Sequence, residues 1–367
     1  MVRAPESRER QLRGKPVDAA STWLAAAGQF LWTYLVPHGE RATNFGGFAL
    51  GSIENILKSY FWFIVVGSVV YALFLRPRGE RLSPIASLKH LLPARIYGHR
   101  SFRVDLTWLP INWIFGFLLF AGLTVGAGAA QAWLVQRLGH SPLSIDGGFG
   151  IALQIAFTLL GVDMARFVWH YQAHFVPFFW EFHKGHHTPE VLHPVAIRTH
   201  PVDMFVRLLY MNVGGGLLGG GMMYVLGIDA TAQAATYLAL IGFGLHVLQG
   251  FEHSHVPVSF GKTLNKFIYP ASYHPFHHSA LPEHRDKNLG ITGGLTLWDR
   301  LVGTLYVPAP DEYKRIVFGS TLEEIGDHNP HRSVWLFFKG PFIAAAKTLR
   351  RPPAEVATAQ AIGAPTG

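Results

Sequence analysis

The sequence predicts an all-α integral membrane protein with about four to six membrane-embedded helices. Hydrophobic residues make up 49% of the 367 residues and charged residues only 15%, whereas soluble domains carry roughly 25% charged residues. Several apolar stretches approach the ~20 residues that a helix needs to cross a bilayer. Strongly basic links also alternate with nearly uncharged ones, as in a multi-pass membrane protein.

Five apolar stretches are predicted membrane helices, and a sixth, 21–37, is expected either to span or to lie at the interface. The five cover 56–75, 109–135, 148–162, 204–226 and 230–250. The predicted organisation is a basic polar tail, a membrane domain, and a C-terminal interfacial segment with a disordered tail. These parts cover residues 1–20, 21–310 and 311–367.

The basic residues predict the orientation of the chain. The link 76–105 carries seven Lys or Arg, the link 136–147 carries only Arg137, and the hairpin turn 227–230 carries none. Cytoplasmic loops are enriched in Lys and Arg, so the histidine-rich stretches 170–200 and 253–288 are predicted to face the cytoplasm. The net charge of +8 is therefore interpreted as topology, and no nucleic-acid partner is expected.

The glycine pairs of GGGLLGGG, residues 214–221, lie inside the fourth predicted span. Small residues let helix backbones approach closely in lipid, so close packing is one interpretation. A groove for a lipid tail is the other.

Histidines recur with the spacing of a helical face. Of the 20 histidines, 14 lie between His170 and His284. His170 and His174 are four residues apart, and HKGHH and HPFHH each place histidines at i, i+3 and i+4, so each set projects from one side of a helix. Cysteine is absent, so a metal held here would have nitrogen or oxygen ligands.

So many imidazoles in one cap need partners. Each buried nitrogen left unsatisfied costs about 1–3 kcal/mol, and a cation removes that cost because neutral imidazole is a good ligand for iron and zinc. One ion takes about four to six ligands, so eight or more histidines predict a dinuclear site in a cytosolic helical cap.

The histidine motifs, followed by NLGITGGLTLWDRLVGTLYVP, resemble the fatty acid hydroxylase (sterol desaturase) superfamily, in its bacterial branch. RSFRVD, HHTPEVLHPVAIRTHP and WDRLVGT support the resemblance, which covers residues 88–308. It implies a non-haem di-iron centre that activates O2, in a multi-pass protein of the bacterial inner membrane. Three departures stand out: His255 replaces a common Asn, Leu289 a common aromatic residue, and Val302 a usual Phe.

The resemblance also implies the metal ligands by position. They are His170, His174, His183, His186, His187, His253, His274, His277 and His278. No catalytic residue beyond these ligands, and no residue binding an organic cofactor, is assigned.

Other polar residues are candidates for supporting roles. Asp163 shares a helix face with His170 and is expected either to hold a ligand imidazole or to pair with a nearby arginine. Arg198 and His200 are expected to close the cap, with His200 as a possible ligand. Asp299 and Arg300 are expected to form an ion pair. The remaining supporting candidates are His246, which is either a buried contact or an outer ligand, His255, His284, Asp286 and Asn288.

Three functions remain open from the residues: a lipid hydroxylase or desaturase, a metal transporter, and a zinc hydrolase. Transport predicts ionisable residues along the spans, and a catalytic zinc keeps three protein ligands, so one-sided clusters of eight or more histidines favour oxidation. The expected substrate is a membrane lipid. Without cysteine or a Gly-rich dinucleotide motif, the chain needs a separate electron donor of ferredoxin or cytochrome type with its reductase.

Overall fold

A computed structural model describes residues 45–120, 127–309, 311–320 and 329–349. The described residues form helices and no strands, apart from two isolated β-bridges, which confirms the predicted all-α class. The stretch 21–37, the tail 1–20 and residues 350–367 lie outside the described residues.

Among the described residues, two helices are long and apolar enough to cross a membrane. Helix α1 (Phe45–Val70) continues through a π-helical turn, Tyr71–Leu75, and its apolar part is Ile56–Leu75. The links after α1 contain helices α2 (Pro84–Leu91) and α3 (Ala94–Tyr97). The second apolar helix is α6 (Gly147–Phe175), which is 29 residues long and extends well beyond the predicted 148–162.

In the predicted span 109–135 the structure describes helix on both sides of residues 121–126. Helix α4 (Arg100–Phe120) starts before it, and α5 (Ala127–Leu138) ends after it, with 121–126 outside the described residues. The predicted hairpin is present as α8 (Pro201–Leu209), a π-helical turn Tyr210–Gly214, α9 (Gly215–Val225) and then α10 (Ala232–Gln249). The number of these helices that cross the bilayer stays a prediction.

The glycine pairs of α9 pack against neighbouring helices. A Cβ on Gly161 of α6 would lie 2.7 Å from the Gly215 oxygen and 2.7 Å from the Gly219 nitrogen. A Cβ on Gly220 would clash with the Ala127 carbonyl of α5. The glycines therefore serve close helix packing, the first of the two interpretations.

The histidine segments form a cap at the end of α6. Helix α7 (Pro177–His183) follows directly and is continued by a 3-10 turn, Lys184–His187, so HKGHH is not one regular α-helical face. Later in the chain come α11 (Gly261–Leu264), α12 (His274–His277), with Pro275 in its first turn, and α13 (Leu297–Val302).

The cap is tied to the basic link and to the last described helix. Arg198 in the loop before α8 binds Asp105 of α4 through Nε (2.5 Å). Helix α14 (Val334–Thr348) packs on α7, and the Phe337 ring lies where a Cβ on Gly185 would be. These contacts bring the basic link 76–105 and the histidines to the same end of the helices.

Candidate metal centre

Four histidines from three helices form the first group, called group A. They are His170 and His174 of α6, His183 of α7 and His277 of α12, and one nitrogen of each lies within 4.8 Å of the others. The helical spacing of α6 puts its two imidazoles together, whereas the other two arrive through tertiary packing.

Every imidazole of group A is held by an oxygen acceptor at Nδ1. His170 donates to the Leu289 carbonyl (2.7 Å) and His277 to the Lys287 carbonyl (3.0 Å). His174 donates to Asp286 and His183 to Asp203, both at 3.0 Å. A carbonyl or carboxylate oxygen can only accept, so Nδ1 carries the hydrogen and Nε2 keeps its lone pair. All four Nε2 atoms are buried with no hydrogen-bond partner, so four lone pairs converge where a cation fits.

The second group, group B, consists of His186, His253, His274 and His278. Three of its Nε2 atoms form a triangle. The Nε2–Nε2 distance is 2.9 Å between His253 and His274, 3.0 Å between His253 and His278, and 3.0 Å between His278 and His274. Each nitrogen is either a donor or an acceptor, so at least one of the three contacts joins two of the same kind. Hydrogen bonds alone cannot satisfy this triangle.

The dimensions of the triangle fit a metal ion. Three nitrogen donors about 2.1 Å from one ion, at right angles to each other, lie about 3.0 Å apart. A cation would also remove the repulsion between like nitrogens, since each Nε2 lone pair would point to it. The two groups therefore fit two metal ions.

His187 lies between the groups. Its ring centroid is 4.6 Å from that of His277 in group A and 4.6 Å from that of His278 in group B, and its Nε2 is buried without a partner. The nine histidines expected as ligands thus lie in one continuous cluster, eight in two groups and the ninth between them.

Burial lowers the pKa values of six imidazoles in the cluster. Burial, followed by repulsion from neighbouring imidazoles, holds the pKa values of His186, His187, His274 and His278 well below the usual value. Burial likewise lowers the pKa of His253 and of His277 to about 3. Metal ions bind the neutral form of imidazole, so burial favours the binding form of these six side chains.

One short loop, 286–289, supplies three of the four Nδ1 acceptors of group A. It provides the Asp286 carboxylate and the carbonyls of Lys287 and Leu289. Asp286 and Asn288 have positive φ angles of 54° and 57°, a region in which Asp and Asn are enriched. The Asn288 side chain accepts from the Tyr306 amide (2.8 Å), which supports this conformation. His284 contacts Ser279 rather than the metal groups.

Two carboxylates bind the end of this loop and the segment that follows it. Asp299 accepts hydrogen bonds from the amides of Leu289 and Gly290 (both 2.8 Å), and Arg300 donates to the Lys266 carbonyl, so these two do not form the expected ion pair. Asp163 accepts from the Leu295 amide (3.0 Å) and from Trp298 Nε1 (2.7 Å). The hydrogen bonds of Asp163 thus go to the segment 295–298 and not to an imidazole or an arginine.

Four further candidates stabilise the cap without joining the groups. His200 caps α8 by accepting from the Val202 amide and donates to the Phe338 carbonyl (2.9 Å), so both of its nitrogens are engaged. His246 contacts Ser59 Oγ (2.9 Å) between α10 and α1. The other two are His255, which donates to the His90 carbonyl (2.6 Å), and Arg198, which also binds Ser101 and Thr188.

Sequence reasoning did not single out three buried groups. Asp203 binds His183 and also accepts from Trp169 Nε1 (3.1 Å). His193 contacts Asp105 through Nε2 (2.8 Å). Glu252 accepts from the Thr292 amide. Only Asp203 could have been found from the neighbouring sequence, since it lies in the first turn of the helix that begins at Pro201. His193 and Glu252 have partners far away in the chain, so local sequence does not reveal their contacts.

Comparison with known proteins identifies relatives of the histidine-bearing region. The Fatty acid hydroxylase family model matches residues 155–304. The alkylglycerol monooxygenase of Danio rerio is 26% identical over 165 residues, which is 45% of this chain and 32% of that protein. The enzyme of the same name from Xenopus tropicalis is 26% identical over 164 residues, with the same shares. No solved structure matches.

The aligned region thus spans about a third of the curated relatives. The range 155–304 matched by the family model contains all nine clustered histidines, together with Asp203 and the loop 286–289 that hold the Nδ1 atoms of group A. Residues 155–304 therefore form a fatty acid hydroxylase domain of the fatty acid hydroxylase/sterol desaturase superfamily.

Proposed function

We propose that the protein is a membrane-bound non-haem di-iron oxygenase that hydroxylates, or desaturates, a C–H bond of a lipid with O2 and externally supplied electrons. The observation that carries the proposal is the pair of adjacent imidazole groups with His187 between them. Two irons bound there would supply the reduction of O2 and the removal of hydrogen from an unactivated C–H bond.

The ligand set supports iron over a hydrolytic zinc. A catalytic zinc site has three protein ligands and one open position, whereas this cap offers two groups of four imidazoles. The Nε2 atoms of the group B triangle lie 2.9 to 3.0 Å apart, closer than the about 3.4 Å expected between nitrogen ligands of a tetrahedral zinc site. The metal transporter is disfavoured because the histidines lie at one end of the helices.

The protein's own residues orient the ligands and exclude water. Asp203, Asp286 and the two carbonyls fix the hydrogen on Nδ1 of the group A imidazoles, and such outer contacts set the ring orientation and basicity of a ligand. Burial of the groups keeps bulk water from the reacting atoms.

The position of the groups suits a lipid substrate in a multi-pass protein of the bacterial inner membrane. Helix α6, a candidate span, carries His170 and His174 in its last turns. A lipid can therefore approach from the bilayer while electrons arrive from the cytoplasm. Sterol, fatty acyl, sphingoid and amino-acid-containing polar lipids all fit this description.

Electrons must come from a separate protein of ferredoxin or cytochrome type with its reductase. Hydroxylation of R–H by O2 consumes two electrons and two protons and yields R–OH and water. Exposed basic residues of the link 76–105 would attract an acidic carrier; they are Arg78, Arg81, Lys89, Arg95, Arg100 and Arg103. Purified protein given lipid, O2 and NADPH is expected to turn over only after carrier and reductase are added, at a rate that falls with ionic strength. Repeated turnover without a carrier would contradict this.

The proposal is tested by comparing the lipids of a deletion strain with those of its parent. At least one lipid class should lose a form that is heavier by one oxygen or lighter by two hydrogens. Wild-type protein should restore this form and His174→Ala protein should not. The purified chain should bind about two irons after anaerobic reconstitution. Unchanged lipids, or a single zinc that supports ester hydrolysis, would refute the proposal.

A further inference from the structure

Exposed apolar side chains gather on two segments of the cap. Leu264 is the last residue of α11, and the Phe267 amide donates to its carbonyl (2.9 Å). Leu297 and Leu301 are four residues apart on α13 and share a face of that helix. These four side chains, the apolar patch, are large and hydrophobic, yet they are 44% to 69% exposed.

Hydrogen bonds join the two segments that carry the patch. The Phe267 carbonyl accepts from the Thr296 amide (3.0 Å). The Lys266 carbonyl accepts from Thr296 Oγ1 (2.7 Å) and from Arg300 Nη2 (2.8 Å). The two halves of the patch therefore lie side by side.

The contact between α13 and α6 gives the depth of the patch along a candidate membrane span. Asp163 of α6 accepts from the Leu295 amide and from Trp298 Nε1, so α13 begins beside this residue. Asp163 follows Gly147, the first residue of α6, by 16 positions, or about 24 Å. The hydrocarbon core is about 30 Å thick, so a span that begins at Gly147 ends beyond Asp163. A later start or a tilted helix moves this boundary further toward His174.

Helix α10, which lies in the predicted span 230–250, gives the same depth. Gly293 packs on Leu245 of α10, since a Cβ on Gly293 would clash with the Leu245 side chain. Leu245 follows Ala232, the first residue of α10, by 13 positions, or about 20 Å. The segment that leads into α13 therefore contacts both helices at levels that lie within a hydrocarbon core of about 30 Å.

The exposed charged residues beside the patch are all basic. The segments 261–268 and 295–302 contain four charged residues, of which only the buried Asp299 is acidic. The three exposed ones are Lys262, Lys266 and Arg300. Basic and apolar side chains together are typical of segments that lie in the membrane interface, where the stems stay in the apolar region and the cations reach the phosphate groups.

We propose that the apolar patch is embedded in the membrane leaflet nearest the cap, among the acyl chains of the lipids beside α6. This inference rests on the membrane placement in the proposed function, and not on the oxidation. Asp299 of α13 binds the amides of Leu289 and Gly290, so the embedded segment is joined directly to the loop 286–289 that orients group A. Contact with the leaflet thus fixes the height of this loop relative to the lipid tails.

The chain contains no cysteine, so single cysteines can carry a fluorescent label in the full-length protein. Leu301→Cys and Phe267→Cys proteins, each labelled with bimane, are reconstituted in nanodiscs of phosphatidylethanolamine and phosphatidylglycerol. Val65→Cys, at an exposed position in the middle of Ile56–Leu75, is the control for lipid. Glu283→Cys, at an exposed position of the cap, is the control for water. The quenchers are iodide in the water and doxyl groups on the acyl chains, either near the glycerol or near the chain end.

The labels at Leu301 and Phe267 should lose the iodide quenching seen at Glu283. Doxyl lipids should quench both labels, more strongly with the doxyl group near the glycerol, whereas the label at Val65 should respond more to the group near the chain end. Iodide quenching at Leu301 and Phe267 equal to that at Glu283 would overturn the inference and indicate a water-facing surface for a partner protein. Protection of both from iodide and from doxyl lipids would also overturn it, because protein would then cover the patch. The metal content of each labelled protein, compared with wild type, checks that the fold is intact.

The control label separates this inference from the proposed function. Iodide quenching at Val65 as well as at Leu301 would refute the membrane placement and the embedded patch together. Protection at Val65 with full iodide access at Leu301 and Phe267 would refute the embedded patch alone. Unchanged lipids in the deletion strain, with Leu301 and Phe267 in contact with lipid, would refute the oxygenase alone.

Discussion

The carboxylate of Asp203 offers a sharp test of how the ligand imidazoles are oriented. It accepts one hydrogen bond from His183 Nδ1 (3.0 Å) and one from Trp169 Nε1 (3.1 Å), with both carboxylate oxygens used. In Asp203→Asn one of these oxygens becomes an NH2 group, which can only donate. The indole N–H can also only donate, so the amide oxygen must face Trp169 and the NH2 must face His183.

His183 can meet this change by switching tautomer. Its Nδ1 then accepts from the amide, and the hydrogen moves to Nε2, which points into group A and no longer offers a lone pair. All hydrogen bonds of the metal-free protein stay satisfied, so its free energy of unfolding should change little. Metal affinity should fall by about 10–100-fold, or about 1.4–2.7 kcal/mol, as for the loss of other outer contacts of ligand histidines.

A chelator-competition titration measures the affinity, and urea unfolding of the metal-free protein measures stability. Asp203→Ala is the contrasting variant, because it leaves two buried donors unsatisfied and should cost about 1–3 kcal/mol of stability for each. Asp229→Asn is the matched control: this exposed aspartate lies in the turn between α9 and α10, and the Asn oxygen can still accept from Gln131 Nε2, so neither quantity should change. Wild-type metal affinity in Asp203→Asn protein would refute the tautomer argument.

Three further predictions follow from contacts of the cap. Replacing His187 by Ala should abolish activity and lower metal content, whereas replacing the exposed His140 should be silent; full activity without His187 would contradict the assignment. Gly185→Ala should destabilise the protein by about 1–3 kcal/mol in urea unfolding, since its Cβ meets the buried Phe337 ring, and Phe337→Leu should recover part of that loss. Burial lowers the pKa of His200, so the unfolded chain binds more protons below pH 6.5 and the stability from His200 is lost as the pH falls. Unfolding free energies between pH 7 and 5 should therefore decline less in His200→Gln than in wild-type protein, and equal slopes would contradict the argument.

Local spacing was a reliable guide wherever the contacts were local. His170 and His174 share a face of α6 because a helix repeats every 3.6 residues. The apolar stretch Ile56–Leu75 is helical, and the all-α class follows from many such stretches. The helices around the predicted span 109–135 begin at Arg100 and end at Leu138, because apolar composition alone does not locate where a helix begins or ends.

Supporting residues were harder to predict than the histidines. Asp163 is on the same helix face as His170, yet its carboxylate binds Leu295 and Trp298, more than 130 positions away in the chain. Asp203 was missed although it holds a ligand candidate, because a carboxylate on a helix is usually solvated. When two partners lie far apart in the sequence, no regular spacing between them indicates that they are in contact.

The sequence by itself determined the helical class and the one-face spacing of the histidine motifs, because helix periodicity and apolar length act over neighbouring residues. The set of nine histidines followed from the resemblance to a known family, and the structure brings all nine together. Only the tertiary structure decided how each motif divides. In HKGHH, His183 belongs to group A and His186 to group B. In HPFHH, His277 belongs to group A and His274 to group B. It also decided that the loop 286–289, more than 110 residues from α6, holds the α6 imidazoles. The physical reason is that each group combines imidazoles from different helices. Which imidazoles meet depends on how those helices pack, and the packing contacts join residues far apart in the chain.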